Sequence, residues 1–357
     1  MTDPVLDPAP AALPDSFRQI VLRRRPEGLV SPDDFEVVEV PMPDLAAGEA
    51  LVRPVYLGID ATVRTWLNRG EGYLPAVEIG EVVRCGGVGT VVASKAEHWA
   101  VGDTALCLPG WSEYLVTQEG PFTSPTPMPA GADMLSALSV FGSTGMAAYM
   151  GLLEIGKPQP GETVVVSAAA GATGSVAGQI AKILGCRVIG IAGSEEKCAW
   201  VVDELGFDGC INHRTDDLRS RLKELCPDRI DVYFDNVGGA ILDAVLKGLN
   251  LHGRVVLCGS ISAYNEVGRP PGPANYVELI AKRGRMEGFI AYDYWDRFEE
   301  CIAQLSTWAG EGRLRWRQTI VDGLENAPHA LNMLFTGENI GKVVVQVAPS
   351  ANADSLH

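Results

Sequence analysis

With 357 residues, 46% of them apolar and 21% charged, the chain is long enough for two globular domains, each with its own core. Its formal charge of −16 excludes the concentrated basic face of a nucleic-acid binder, and Arg23-Arg24-Arg25 reads as the solvated end of a strand. No run approaches the roughly eighteen apolar residues of a membrane span, so neither a nucleic-acid nor a membrane partner is expected.

The opening MTDPVLDPAPAALPD lacks the basic and apolar regions of a secretory signal and reads as an arm, 1–16. From Phe17 to about Val140, short alternating segments broken by Pro and Gly, such as EALVRPVYLGI, GVGTVVAS and SEYLVTQ, predict a largely β region. From about Gly161 the period changes. TVVVS is a continuous β-branched run of the kind a parallel strand buried on both faces requires. A helix follows, with Val176, Ile180, Ile183 and Leu184 on one face and a stop at Gly185. Then come RVIGIA (strand), SEEKCAWVVDEL (helix capped by Ser194), GCIN (strand), DDLRSRLKEL (helix), DVYFDNV (strand), ILDAVLKGL (helix) and GRVVLCG (strand). This alternation predicts a doubly wound α/β sheet with right-handed crossovers. After a helix at 295–309, the first pattern resumes in RWRQTIVDG, a helix at 327–335 and GKVVVQV. The simplest arrangement is a nucleotide domain, 140–312, inserted into a catalytic domain built from 17–139 and 313–348, with a tail at 349–357.

The eight cysteines, at 85, 107, 186, 198, 210, 226, 258 and 301, contain no C-x-x-C pair. They suit reduced thiols in a cytoplasm better than a disulfide framework. The five histidines form no H-x-x-x-H pair, so no metal site is expected.

SAAAGATGSVAGQIAK sits between the buried strand and the amphipathic helix, where a dinucleotide fingerprint G-x-G-x-x-G belongs, with Ala169 in place of the first glycine. Gly171, Ala172, Thr173 and Gly174 would bring backbone and a helix N-terminus to a pyrophosphate. The next strand ends in Ala192-Gly193-Ser194, without the acid that an NAD site uses for the ribose 2′-hydroxyl. Such an acid would repel a 2′-phosphate by about 4 kcal/mol per charge pair at 4 Å and an effective dielectric of 20. Lys197, one turn on, can reach that position, and Ser194 can donate a hydrogen bond; Lys197 is otherwise a surface lysine after Glu195 and Glu196. Together these features favour NADPH.

The set AAAGATGSVAGQIAKILGC, GSEEK, YFDNVGG, GRVVLCGSISAYN and NIGKVVV resembles the zinc-free branch of the medium-chain dehydrogenases/reductases, the group of prostaglandin reductases, leukotriene B4 12-hydroxydehydrogenases and NADPH-dependent curcumin reductases. The resemblance runs from Phe17 to Val347. It implies a doubly wound Rossmann domain inserted into a mainly β, GroES-like catalytic domain, an NADP cofactor and a homodimer. It also implies that Lys197 and His213 approach the 2′-phosphate, and that Asn236 sits near the cofactor. Cys258, Gly259, Ser260, Ile261, Ser262, Ala263 and Tyr264 would pass along the nicotinamide half. Phe289, Ile290 and Ala291 would offer backbone to the carboxamide, and Asn339 would approach from the second domain. Two departures bear on the substrate. The family's D-P-Y-M-R is Asp60-Ala61-Thr62-Val63-Arg64, and the threonine of G-x-T-A-Y is Ala147.

The expected activity is NADPH-dependent reduction of the C=C bond of α,β-unsaturated aldehydes and ketones. Without zinc a hydrogen-bond donor must polarise the carbonyl, and Tyr264, acting with the nicotinamide ribose hydroxyl, is the candidate; otherwise it is a loop aromatic that packs over the cofactor. GRPPGPANY is a flap at the pocket or a long connection, and His252 and His329 read as structural. An NADPH:quinone oxidoreductase and a catalytically silent NADPH-binding protein remain as alternatives.

Overall fold

In a computed structural model of the protein, the described residues are 13–349 apart from 71, 119–125, 128–131, 267 and 269. Most of the expected arm and tail therefore lies outside them, as does Arg269 of the expected flap.

Strands β1 (Ser16–Leu22) and β2 (Phe35–Pro41) form an antiparallel pair. The next five strands are β3 (Glu49–Ile59), β4 (Gly86–Ser94), β5 (Thr104–Cys107), β6 (Leu115–Gln118) and β7 (Thr126–Pro127). A second group consists of β8 (Thr163–Ser167), β9 (Arg187–Ala192), β10 (Gly209–Asn212), β11 (Ile230–Asp235), β12 (Leu249–Leu257) and β13 (Arg285–Gly288). The last two, β14 (Gln318–Asp322) and β15 (Lys342–Gln346), return to the first group. There β15 pairs antiparallel with β3, Val344 facing Gly58, so a sheet ordered β14-β15-β3-β4-β5-β7 joins both chain ends, with β6 also on β3.

The second group makes one parallel sheet, ordered β10-β9-β8-β11-β12-β13. All five residues of β8 are buried, which explains its uninterrupted apolar run. Alternate side chains feed two cores. Val164, Val166, Val232, Phe234 and Val256 pack on one face, and Val165, Ile189, Ile191, Tyr233 and Val255 on the other. Chain order reverses between β8 and β11, which opens a crevice at their carboxyl ends. This is the expected architecture, a doubly wound sheet set within a mainly β fold.

Three local differences have physical causes. β13 was not expected, because RMEG is short, charged and largely exposed at the sheet edge and so has no apolar signature. Helical turns at Ser143–Met150 and Gly151–Gly156 lead into β8 and pack in the core cluster of the same sheet. The arginine run follows the end of β1 at Leu22 with Arg23 and Arg24 exposed, as expected, and only Arg25, half-buried, turns inward. Arg24 Nε lies 2.6 Å from Asp34 Oδ1, and the Arg25 guanidinium donates to the carbonyls of Leu67 (3.1 Å) and Val77 (2.5 Å).

Candidate active site

Between β8 and the helix Ala172–Ile183, the chain turns through Ala168, whose φ is 48°. A Cβ on Gly174 would stand 2.4 Å from the Ala168 carbonyl oxygen, so only glycine lets the helix approach the turn this closely. Gly171 is the N-cap and provides no side-chain acceptor. The amides of Ala172, Thr173 and Gly174 thus open the helix without intrahelical acceptors and face the crevice with the positive end of the dipole. The Gly341 amide donates to the Ala170 carbonyl (2.8 Å) and the Asn339 side chain donates to the Gly341 carbonyl (3.0 Å), which brings buried Asn339 to this turn.

Beyond β9, Ser194 caps the next helix by accepting the Lys197 amide (3.3 Å). The Lys197 ammonium turns back to the Gly337 carbonyl (3.0 Å), and Arg214 donates to Thr336 O (2.6 Å). These cations and His213 share one place: a Cβ on Gly193 would be 3.4 Å from His213 Nε2 and 3.5 Å from Arg214 Nε. Burial and Arg214 hold the Lys197 pKa below its ordinary value. His213 is lowered by partial burial, then by Arg214 and Lys197. Among the described residues, neither Lys197 nor Arg214 has a carboxylate within ion-pair distance. The cluster brings together three donors that could hold an anion, and Arg214 was missed by the sequence reading although it directly follows His213.

The turns after β11 and β12 are sewn together. Cys258 and Gly259 donate to the Asp235 carbonyl (2.9 and 3.1 Å), Ile261 to Asn236 O (3.2 Å) and Ser262 to Val237 O (3.1 Å). Asn236 in turn donates from its side chain to Ser167 O (2.8 Å), tying this pair of turns to β8. Buried Asp235 accepts at Oδ1 from Tyr233 (2.7 Å), Ser167 (3.1 Å) and the amides of Val237 and Gly238 (both 2.9 Å). Burial raises its pKa, and Oδ2 has no partner among the described residues. Tyr264 folds back so that its hydroxyl accepts the Ser260 amide (3.1 Å), leaving the phenolic proton free to donate. Burial raises its pKa and keeps it protonated. Phe289 sends its ring toward the core, where a Cβ on Gly151 would be 2.5 Å from it, and Ile290 and Ala291 follow half-buried.

From the β region, Arg64 reaches these turns. It is 2% exposed, and it donates to Gly28 O, Pro26 O and Asn265 Oδ1 (each 3.0 Å) and to Asn68 Oδ1 (2.6 Å). Lys342, equally buried, pairs with Asp60 Oδ1 at 2.5 Å. Tyr73 lies 3.0 Å from the Thr62 hydroxyl. Tyr292 is pushed up to about 12 by burial, then by Asp60 and Tyr73. Ala147 sits half-buried on the helix Ser143–Met150, while His252 and His329 are exposed. Among the described residues, no group of three His, Cys, Asp or Glu side chains could hold a metal ion, and no helix is long and apolar enough to cross a membrane.

Residues 18–124 match the family described as the N-terminal domain of oxidoreductase, and residues 172–307 the one described as zinc-binding dehydrogenase. The chain is 43% identical to the putative NADP-dependent oxidoreductase YfmJ of Bacillus subtilis, over 93% of this chain and 98% of that protein. It is 41% identical to the NADPH-dependent curcumin reductase of Escherichia coli, over 93% and 97%. The crystal structure of CurA in complex with NADPH from Vibrio vulnificus superposes with a TM-score of 0.87 at 43% identity, covering 93% of this chain and all 100% of that one.

Proposed function

Because the chain belongs to the zinc-free branch of the medium-chain dehydrogenase/reductase family, we propose that it reduces the C=C bond of α,β-unsaturated aldehydes and ketones with NADPH. The observation that carries the cofactor is the meeting of Lys197, His213 and Arg214 where an NAD site would place a carboxylate. The residues fit the whole dinucleotide. The amides of 172–174 would receive the pyrophosphate, the cation cluster the 2′-phosphate, and the joined turns 236–238 and 258–264, with the backbone of 289–291 and with Asn339, the nicotinamide half.

Bound NADPH supplies a hydride for the β-carbon of the acceptor. Tyr264 donates its phenolic proton in a hydrogen bond to the carbonyl oxygen, where negative charge gathers as the hydride arrives. Asp235 holds the turn that seats Asn236 and the amides behind Tyr264, and Arg64 fixes Asn265, the residue after Tyr264. The α-carbon takes its proton from water.

A second copy of the chain is the proposed partner. β13 leaves one edge of the parallel sheet unpaired among the described residues, and Leu251, Tyr276, Val277 and Ile280, the last 78% exposed, lie on neighbouring segments. Sedimentation of the protein and of Ile280→Asp tests this, with a dimer expected only for the parent.

NADPH oxidation with trans-2-alkenals and enones, with the product identified, tests the activity. The saturated carbonyl compound is expected. An allylic alcohol would contradict C=C reduction, and a clear preference for 1,4-quinones would reassign the enzyme.

A further inference from the structure

The cation cluster at the ends of β9 and β10 stands among carboxylates. A helix start favours acids, and the helix Glu195–Ala199 opens on two, Glu195 and Glu196, directly before Lys197. The turn after β10 adds Asp216, two residues beyond Arg214. A carboxylate paired with Lys197 or Arg214 would close the cluster to an anion, and one left facing it would repel a phosphate. Among the described residues, none of the three lies within ion-pair distance of either cation.

Asn212, the last residue of β10, holds two of them away. It is 4% exposed and in register with Ala192 at the end of β9, so it lies beside the turn that leads to Glu195. Its side-chain amide donates to Glu195 Oε1 (2.8 Å), and its side-chain oxygen accepts the Arg214 amide (3.2 Å). Its backbone amide donates to Asp216 Oδ2 (3.1 Å), and Arg221 Nε lies 4.0 Å from the same oxygen. Burial and Arg214 lower the Lys197 pKa, and the carboxylate that opposes them is Glu196, not Glu195. A neutral amide suits this place: one end donates to the carboxylate, the other accepts from the backbone of Arg214, and no charge is added to the cluster.

We propose that Asn212 is a positioning residue for cofactor choice: by holding the Glu195 carboxylate away from Lys197 and Arg214, it keeps the cluster open to the 2′-phosphate of NADPH. This rests on the reading of Lys197, His213 and Arg214 as the 2′-phosphate site. Glu195 is exposed and its side chain has no other hydrogen-bond partner among the described residues, so loss of the Asn212 amide frees it to turn to the neighbouring cations.

The test is binding of NADPH and of NADH, by fluorescence titration, to Asn212→Ala and to the same variant with Glu195→Gln added. Asn212→Ala is expected to weaken NADPH about tenfold with NADH unchanged, and Glu195→Gln to restore NADPH to within a few-fold of the parent. Both variants lack the buried amide and should melt at similarly lowered temperatures, so a purely structural role predicts equal NADPH losses in the two. Asn212→Ser, which keeps a polar group at the strand end, is read in the same way should Asn212→Ala fail to fold. Unchanged NADPH affinity, a loss that Glu195→Gln does not rescue, or an equal loss of NADH would overturn the assignment. The Lys197→Ala, Arg214→Ala double variant separates the two readings. If it binds NADPH as the parent does, the 2′-phosphate site falls and the Asn212 assignment with it; if it loses NADPH while Asn212→Ala does not, only the assignment falls.

Discussion

The dinucleotide end and the acceptor cleft are built in opposite ways. The first draws its residues from one stretch, since one turn after β8, one helix start and two consecutive strand ends supply Gly174, Lys197, His213 and Arg214, and only the 336–337 segment braces them from afar. The second is assembled over distance. Arg25 reaches Leu67 and Val77, Arg64 reaches Pro26 and Asn265, and Lys342 reaches Asp60. Such a division predicts that a substitution can damage chemistry in one region while leaving binding in the other intact.

The largest separation is expected at Tyr264. Tyr264→Phe removes the donor at the developing charge and lowers kcat by about 10² to 10³ with an unchanged NADPH Kd. A full rate with a good enone would remove Tyr264 from the chemistry. Arg64→Ala comes next. It leaves a buried side-chain cavity and strands four acceptors, one buried and three half-buried, and a loss of about 3 kcal/mol of stability is expected, read as a lower melting temperature. Turnover should fall with it, while NADPH binding by the surviving fold should change by only a few-fold; equal losses of both would erase the contrast. In the other direction, Gly174→Ala pushes the helix from its turn and should weaken NADPH about tenfold without altering the preference among acceptors. A changed acceptor preference would show that the two regions are coupled.

The smallest effect is a pH dependence. His213 has its pKa lowered in the folded protein below the ordinary imidazole value of about 6.5. The unfolded chain therefore binds more protons between the two pKa values. This contribution to stability is full above about pH 6.5 and is lost as the pH falls through the lowered pKa. A bound 2′-phosphate favours the charged ring and reverses the sign, so NADPH, but not NADH, should bind more tightly as the pH falls from 7.5 to 6. His213→Phe should abolish that difference in titrations at the two pH values.

What could be read from the sequence follows the same division. TVVVS, RVIGIA, the helix stop at Gly185 and the cap at Ser194 are local patterns, and their strands and helices stand close to where they are expected. The lysine at 197 and the missing acid at 192–194 are also local, and from them came the cofactor. Arg214 left no signal beyond its adjacency to His213, because its place depends on a turn after β10 and on the Gly337 segment far along the chain. Tyr73 had none: nothing in EGYLPA announces a bond to Thr62, which arises only once Arg25 closes the loop 67–77. β13 was lost for a related reason, since an exposed edge strand needs no apolar residues to pair on one side.

The account turns most on the three-cation site at the ends of β9 and β10. The decisive measurement is the ratio of kcat/KM for NADPH over NADH, at constant saturating enone, in the parent and in the Lys197→Ala, Arg214→Ala double variant. The parent should prefer NADPH strongly, and the double variant should lose about 10²-fold of that preference through NADPH alone, with NADH unaffected. A ratio unchanged by the double substitution, or an equal fall with both cofactors, would contradict it.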